Sequence, residues 1–546
     1  MSGIAGIVGD VDNIEYRVAA MLRSQEHRGC NNNGFWVSSF VDSQLGLAHC
    51  GRVVSEMEED VHQPYVDDDT LLVVAIEGEV YNYKELRREL SAHYTFATDS
   101  SVEVVSKAYH RWGREFLHRL MGAFVIVIYD RDNEVLFLAR DRFGVKPLYY
   151  ATQRGCLFFS SEIRPLFAAG VHRSVSPERW AGYMLYSSYG AAYSTFWDGV
   201  HQLPAGFWLE YNGYSLHERA WYSLQDDVAE LLADYDAGQM AELFVDRMEC
   251  CAEQSMSDVS SCGLRVGGRV ETQALHVIAS RGQQMWKVHT FTGDIDSVDN
   301  TPLATPIWVT AAHAVEELER MNVWVEEPFD GTESLVRTAM FRRINRDGVR
   351  VVCSGIGLDV LWQDDWDMSE MHYNYLQQNS LFSPSFVALA ERPDYLHRFA
   401  DEADNLRYLD LYYERIPHIL RFFDRSAAEA GVTLRAPFLD GRLVALSFAL
   451  PMASHKPRKM LFDNCMERRY NCSIRRIATS SMLPLWMSGG MKEWMGDALS
   501  DLRNSSAREW FDVLELDRMW SQFCDGAPLD IALLWKCVAL HRQLCV

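Results

Sequence analysis

The chain has 546 residues, enough for two or more domains with a core in each. Hydrophobic residues make up 48% and charged residues 23%, a globular rather than a disordered composition. A formal charge of −24 argues against a nucleic-acid or anionic-membrane surface, which need clustered Lys and Arg, and no apolar run approaches the roughly 18–20 residues of a membrane span.

The apolar start has no basic n-region and runs at once into Asp10 and Asp12, which speaks against a signal peptide and for a first β-strand. Leu71–Ile76 and Ala123–Tyr129 are short β-branched runs of the kind that form buried strands. Between them, Tyr83–Leu90 has the spacing of a short amphipathic helix. Phe207–Tyr211 followed by Asn212-Gly213 predicts a late hairpin, since Asn-Gly suits a type I′ turn. Asp226–Asp236 is acidic without a clear pattern, and the domain junction is placed there.

The second half alternates helical patterns with apolar strands such as Val349–Cys353, the pattern of a helix-covered parallel sheet. A strand over Cys262–Val266 and a helix over Val270–Ser280, ending near Gly282, flank a glycine pair. Beyond Leu381 only helices are expected. The 12 cysteines form no CxxC pair, which argues against zinc, and they read as reduced thiols of a cytoplasmic protein.

Four segments of the first half share a pattern: Met1-Ser2-Gly3-Ile4, His27-Arg28-Gly29, Glu77-Gly78-Glu79-Val80-Tyr81-Asn82 and Arg140–Tyr150. Three more follow: Ser257-Asp258-Val259, Ser354-Gly355-Ile356-Gly357-Leu358-Asp359 and Arg435-Ala436-Pro437-Phe438-Leu439-Asp440. In this order they resemble the glutamine-dependent asparagine synthetase family over nearly the full length. The resemblance implies a mixed α/β and α+β chain. Residues 1–215 would form a four-layer αββα glutaminase fold of the N-terminal-nucleophile type, 216–240 a linker, and 241–546 a parallel-sheet synthetase domain with a pyrophosphate loop and a helical C-terminal part.

Motif by motif, the chemistry departs. The resemblance puts the glutaminase nucleophile, a cysteine in the family, at Ser2. A Ser2 freed by removal of Met1 has an α-amino group as base, but a hydroxyl is a poorer nucleophile than a thiolate near neutral pH. Glu77 stands where the family's Asn helps hold the oxyanion; loss of one such donor costs about 10²–10³ in rate, and an ionised carboxylate adds repulsion. The substrate-binding positions implied are Gly78, Asp99 and Arg52, with Gly51 at the aligned place of the family's clamping Arg.

For nucleotide, the resemblance points to Leu264, Gly267, Gly268, Ser354 and Gly355, with Lys459 near the phosphates. The family's loop hydroxyl and metal carboxylate are replaced by Val266 and Val270, and Glu271 adds a negative charge. Arg265 and Arg269 partly offset it. Ile356 and Val360 replace acidic residues, which leaves Asp359 as the one candidate ligand for Mg²⁺. A lone Asp beside a loop glycine also serves simply as a helix cap. Ala478–Met482 lacks the family's later lysine.

These losses favour a non-catalytic or partner-dependent member of an amide-forming pathway, with ATP and Mg²⁺ as cofactors by resemblance only. Its expected partner is another copy or an intact synthetase relative. The alternatives are an active ATP-dependent amide synthetase using ammonia or glutamine on a specialised small-molecule carboxylate, and a different reaction in the old cleft.

Overall fold

A computed structural model describes residues 2–29, 32–51, 61–189, 193–235, 237–265, 270–281, 287–292, 305–307, 309–321, 325–328, 332–362, 379–391, 397–450, 458–470, 483–527 and 531–545. The first half is built on two six-stranded antiparallel sheets. One has Ser2–Gly9 inside it, between Cys156–Ser160 and Ser43–Gly51. The other pairs Leu72–Val80 with Gly122–Asp130 near its middle and ends on Phe207–Tyr211 and Leu216–Ala220.

Strand periodicity sets the layers. Ile4 and Val8 face the second sheet and share a core with Val73, Ala75, Val125 and Val127. Ala5 and Ile7, on the opposite face, pack on Ile14, Val18 and Met21 of the helix Ile14–Ser24. On the far side, Val74, Ile76, Phe124 and Ile126 meet Leu86 and Leu90 of the helix Tyr83–Leu90 and Val102 and Val105 of the helix Ser101–Trp112. The result is the expected helix–sheet–sheet–helix stack.

The second half holds a five-stranded parallel sheet in the order Thr305–Pro306, Lys287–Thr292, Ser261–Arg265, Val351–Cys353, Thr433–Arg435. Thr433–Arg435 corrects the expectation of helices alone beyond Leu381. Three residues are too few to show a period, yet pairing with Val351–Cys353 makes them a strand.

The junction also differs from its sequence reading. Leu216–Ala220 pairs with Phe207–Tyr211, so the first half's sheet runs five residues past the expected boundary. Most of the supposedly patternless acidic stretch belongs to the helix Leu224–Asp234. Its signals are Ser223, which caps the Asp226 N–H, and Leu224 and Val228, which are buried four residues apart.

Candidate functional site

The end of the strand Leu72–Val80 brings the first candidate site together. Gly78 sits at φ +97°, and a Cβ there would lie 2.0 Å from the Ala123 carbonyl oxygen, so only glycine fits. Its N–H donates to the Ser2 hydroxyl at 3.3 Å. Ser2 and Gly78 therefore adjoin.

Glu77 does something other than the expected repulsion. Its carboxylate is fully buried and accepts from Arg28 Nη2 at 2.5 Å and from the Ser161 hydroxyl. Arg28 is also buried, and its one guanidinium bonds Glu162 at 2.7 Å, Asp424 at 2.6 Å and the Ser2 carbonyl at 2.8 Å. Lys146 reaches the other oxygen of Asp424 at 2.9 Å. The Glu77 carboxylate has thus been absorbed into an ionic cluster that joins the two halves. Burial pushes the Glu77 carboxyl up, with Arg28 pulling against it. Burial opposes ionisation of Asp424 as well, but Arg28 and Lys146 hold it below the usual carboxylate range.

The substrate positions are less complete. Asp99 is largely exposed and pairs with Arg87 at 2.9 Å, on a turn that Glu103 fixes through the backbone N–H groups of Ala97 and Thr98. Gly51 has no room for a side chain, because a Cβ there would lie 2.6 Å from the His49 ring. That ring is buried, and burial lowers its pKa to about 4, so it is neutral at physiological pH. Arg52 lies outside the described residues.

At the second site, Leu264 is buried and its strand pairs on both sides, with Thr290 and with Cys353. The Ser354 N–H donates to the Arg435 carbonyl at 2.9 Å, so it is already used within the fold. Gly355 is pressed onto the first turn of the helix Val270–Arg281: a Cβ there would lie 2.4 Å from the Glu271 carbonyl oxygen. Gly355 and this helix turn touch with no space for a methyl group between them. Val266, Gly267, Gly268 and Arg269 lie outside the described residues, as does Ala478–Met482. Lys459 falls on the helix Arg458–Tyr470, but its side chain lies outside them too.

Asp359 does not stand as an open metal ligand. One oxygen accepts from the Val360 N–H at 3.0 Å, and the other is paired with Arg415, which also holds Asp410 at 2.7 Å. Among the described residues, no group of three or more His, Cys, Asp or Glu could hold a metal ion. The side chains present do not fit Mg²⁺, because a fixed guanidinium already supplies the positive charge.

Sequence reasoning missed Arg28 and Arg415 as the partners of Glu77 and Asp359. It did quote the components of a third tie. Arg435 bonds Glu79 at 2.8 Å and Asp258 at 2.6 and 2.9 Å, joining segments from both halves.

Comparison with known proteins gives one consistent result. Residues 1–222 match the glutamine amidotransferase domain family, and residues 301–544 match the asparagine synthase family. The glutamine-hydrolyzing asparagine synthetase 2 of Bacillus subtilis (strain 168) is 26% identical over an alignment that covers 86% of this chain and 69% of that protein. Asparagine synthetase 1 of the same organism is 35% identical over 29% of this chain and 24% of its own length. The structure of a B. subtilis glutamine phosphoribosylpyrophosphate amidotransferase complexed with ADP and GMP is 15% identical. It covers 66% of this chain and 77% of that one at a TM-score of 0.30, too low to bear on function.

Proposed function

The chain belongs to the glutamine-dependent asparagine synthetase family, an ATP-dependent, amide-forming family, and from that premise we propose that it is a non-catalytic or partner-dependent member. It would act in an amide-forming pathway through contact with a second copy or a catalytically intact relative. One observation carries this reading. The acidic residue at each candidate site is consumed by an arginine, Glu77 by Arg28 and Asp359 by Arg415. Side chains that would face a reacting group are instead structural ties.

The rest of the site supports the same reading. Gly51 and His49 leave no place for a clamping side chain at position 51, and Gly355 closes on Glu271. Binding of ATP would be weak and without a role for Mg²⁺. No helix of the described residues is long and apolar enough to cross a membrane, and the nine cysteines whose side chains are described are free thiols; the proposal places the protein in the cytoplasm.

A second reading, an active synthetase fed by ammonia or glutamine and acting on a specialised carboxylate, has one contact in its favour. The Gly78 N–H still meets the Ser2 hydroxyl, which keeps a backbone donor beside the hydroxyl that would attack.

ATP–pyrophosphate exchange with a panel of carboxylates, run alongside light scattering and co-purification, separates the two. The proposal expects no exchange above background together with self-association or capture of an intact relative. A strict monomer that forms an amide from ammonia and ATP overturns it.

A further inference from the structure

We propose that a cavity at the junction of the two halves binds a small amphipathic organic carboxylate, with Arg247 as its anion receptor. The inference does not depend on whether either family site is active. The cavity has a volume of about 520 Å³, within the range of small-molecule sites. Its walls come from three parts of the chain: Met121 and Arg142 of the first half, Leu231 of the helix Leu224–Asp234, and Leu243, Arg247 and Leu446 of the second half. Neither Ser2 nor Glu77 lines it, and Ser354, Gly355 and Asp359 do not either. It is a separate place in the molecule.

The charges on its walls single out one residue. Arg142 is committed: Nη1 donates to the Leu120 carbonyl at 2.7 Å and Nη2 to the His118 carbonyl at 3.0 Å. Arg442 is paired with Asp440, the cap of its own helix, at 2.8 Å. Arg247 differs. Among the described residues it forms no hydrogen bond and no ion pair, and its Nε is buried. A guanidinium has five donors in a planar fork that suits a carboxylate, and leaving the buried Nε donor unmet is costly.

Besides Asp440, two acids share the cavity without answering Arg247. Asp227 lies against Tyr222, and burial pushes its carboxyl toward the neutral form, while Glu230 is exposed. The leucines and Met121 supply the apolar part of the wall. A ligand with an apolar body and a single carboxylate satisfies both features. A polyanion such as a nucleotide would meet repulsion from Glu230 and find, among the described residues, one guanidinium on the wall without a hydrogen-bond or ion-pair partner.

Calorimetry on the full chain with N-acetyl-Leu-Tyr and with its C-terminal carboxamide tests this. The acid is expected to bind at least about tenfold more tightly than the amide, the scale of a charge-assisted fork. Arg247→Met should abolish that preference, and Arg247→Gln, made in parallel as a milder change, should do the same. Leu243→Trp, which fills the cavity, should weaken both ligands. Equal binding of acid and amide, binding of neither, or a preference that survives both Arg247 variants overturns the proposal.

Discussion

Replacing Asp424 by Asn is the most direct test of the ionic cluster between the halves. Asp424 is 1% exposed and holds two cations, Arg28 at 2.6 Å and Lys146 at 2.9 Å. The buried cluster sets Arg28 and Lys146 against Glu77, Glu162 and Asp424. Asn keeps the shape and one acceptor, so the cost comes from two cations losing a shared counter-charge. Breaking a buried pair in this way costs about 3–5 kcal/mol, and the retained acceptor puts Asp424→Asn near the lower figure. Urea unfolding at pH 7, followed by tryptophan fluorescence and far-ultraviolet circular dichroism, measures it. Loss of the tie should also separate the transitions of the two halves. A double-mutant cycle with Arg28→Met should then show a coupling energy above about 1.5 kcal/mol. If Asp424→Asn shifts stability by less than about 0.5 kcal/mol, or the two changes are additive, the cluster does not join the halves energetically.

Three further outcomes are expected. The purified protein should release no glutamate from glutamine, and Ser2→Cys alone should not restore release, because Glu77 still replaces a neutral donor; a coupled glutamate assay showing robust turnover would reverse this. Calorimetry with ATP should give at most weak binding that does not respond to Mg²⁺. Arg415→Met, which removes the guanidinium from Asp359 and Asp410, should introduce a Mg²⁺ response, and its absence would mean Arg415 is not what excludes the metal. Burial raises the pKa of Glu414 to about 8, above its unfolded value near 4.3, so the native state binds the extra proton. That group costs nothing below pH 4 and its full penalty above pH 8, so Glu414→Gln should raise the melting temperature at pH 9 and change it little at pH 5. Equal effects at both pH values would falsify that assignment.

The scaffold was legible because its signals are local. Tyr83–Leu90 is a helix with the bounds its spacing predicts, and the late hairpin is present, although its strands are joined by the four residues 212–215 rather than by a two-residue type I′ turn. Thr433–Arg435 was hidden because a three-residue strand exists only through its neighbour. The site was half legible. Ser2 beside Gly78 follows from the motifs, whereas the fate of Glu77 and Asp359 depends on arginines 49 and 56 positions away. One clue was present: an acid replacing a neutral residue inside a buried motif needs a buried counter-charge, and Arg28 lies in a segment already singled out by resemblance.

The strand Leu72–Val80 ends in an arrangement with a mechanical side. Glu77 reaches Arg28, which is bound to Asp424, and two residues later Glu79 reaches Arg435. Those attachment points are about 7 Å apart along one strand. A body pinned at a single point can swivel about it, but one pinned at two cannot turn without breaking a pin. Rocking of one half against the other, the motion that would open a passage between them, therefore requires loss of a buried ion pair. The two halves should tumble and relax as one stiff unit, with any compliance confined to segments remote from this strand end.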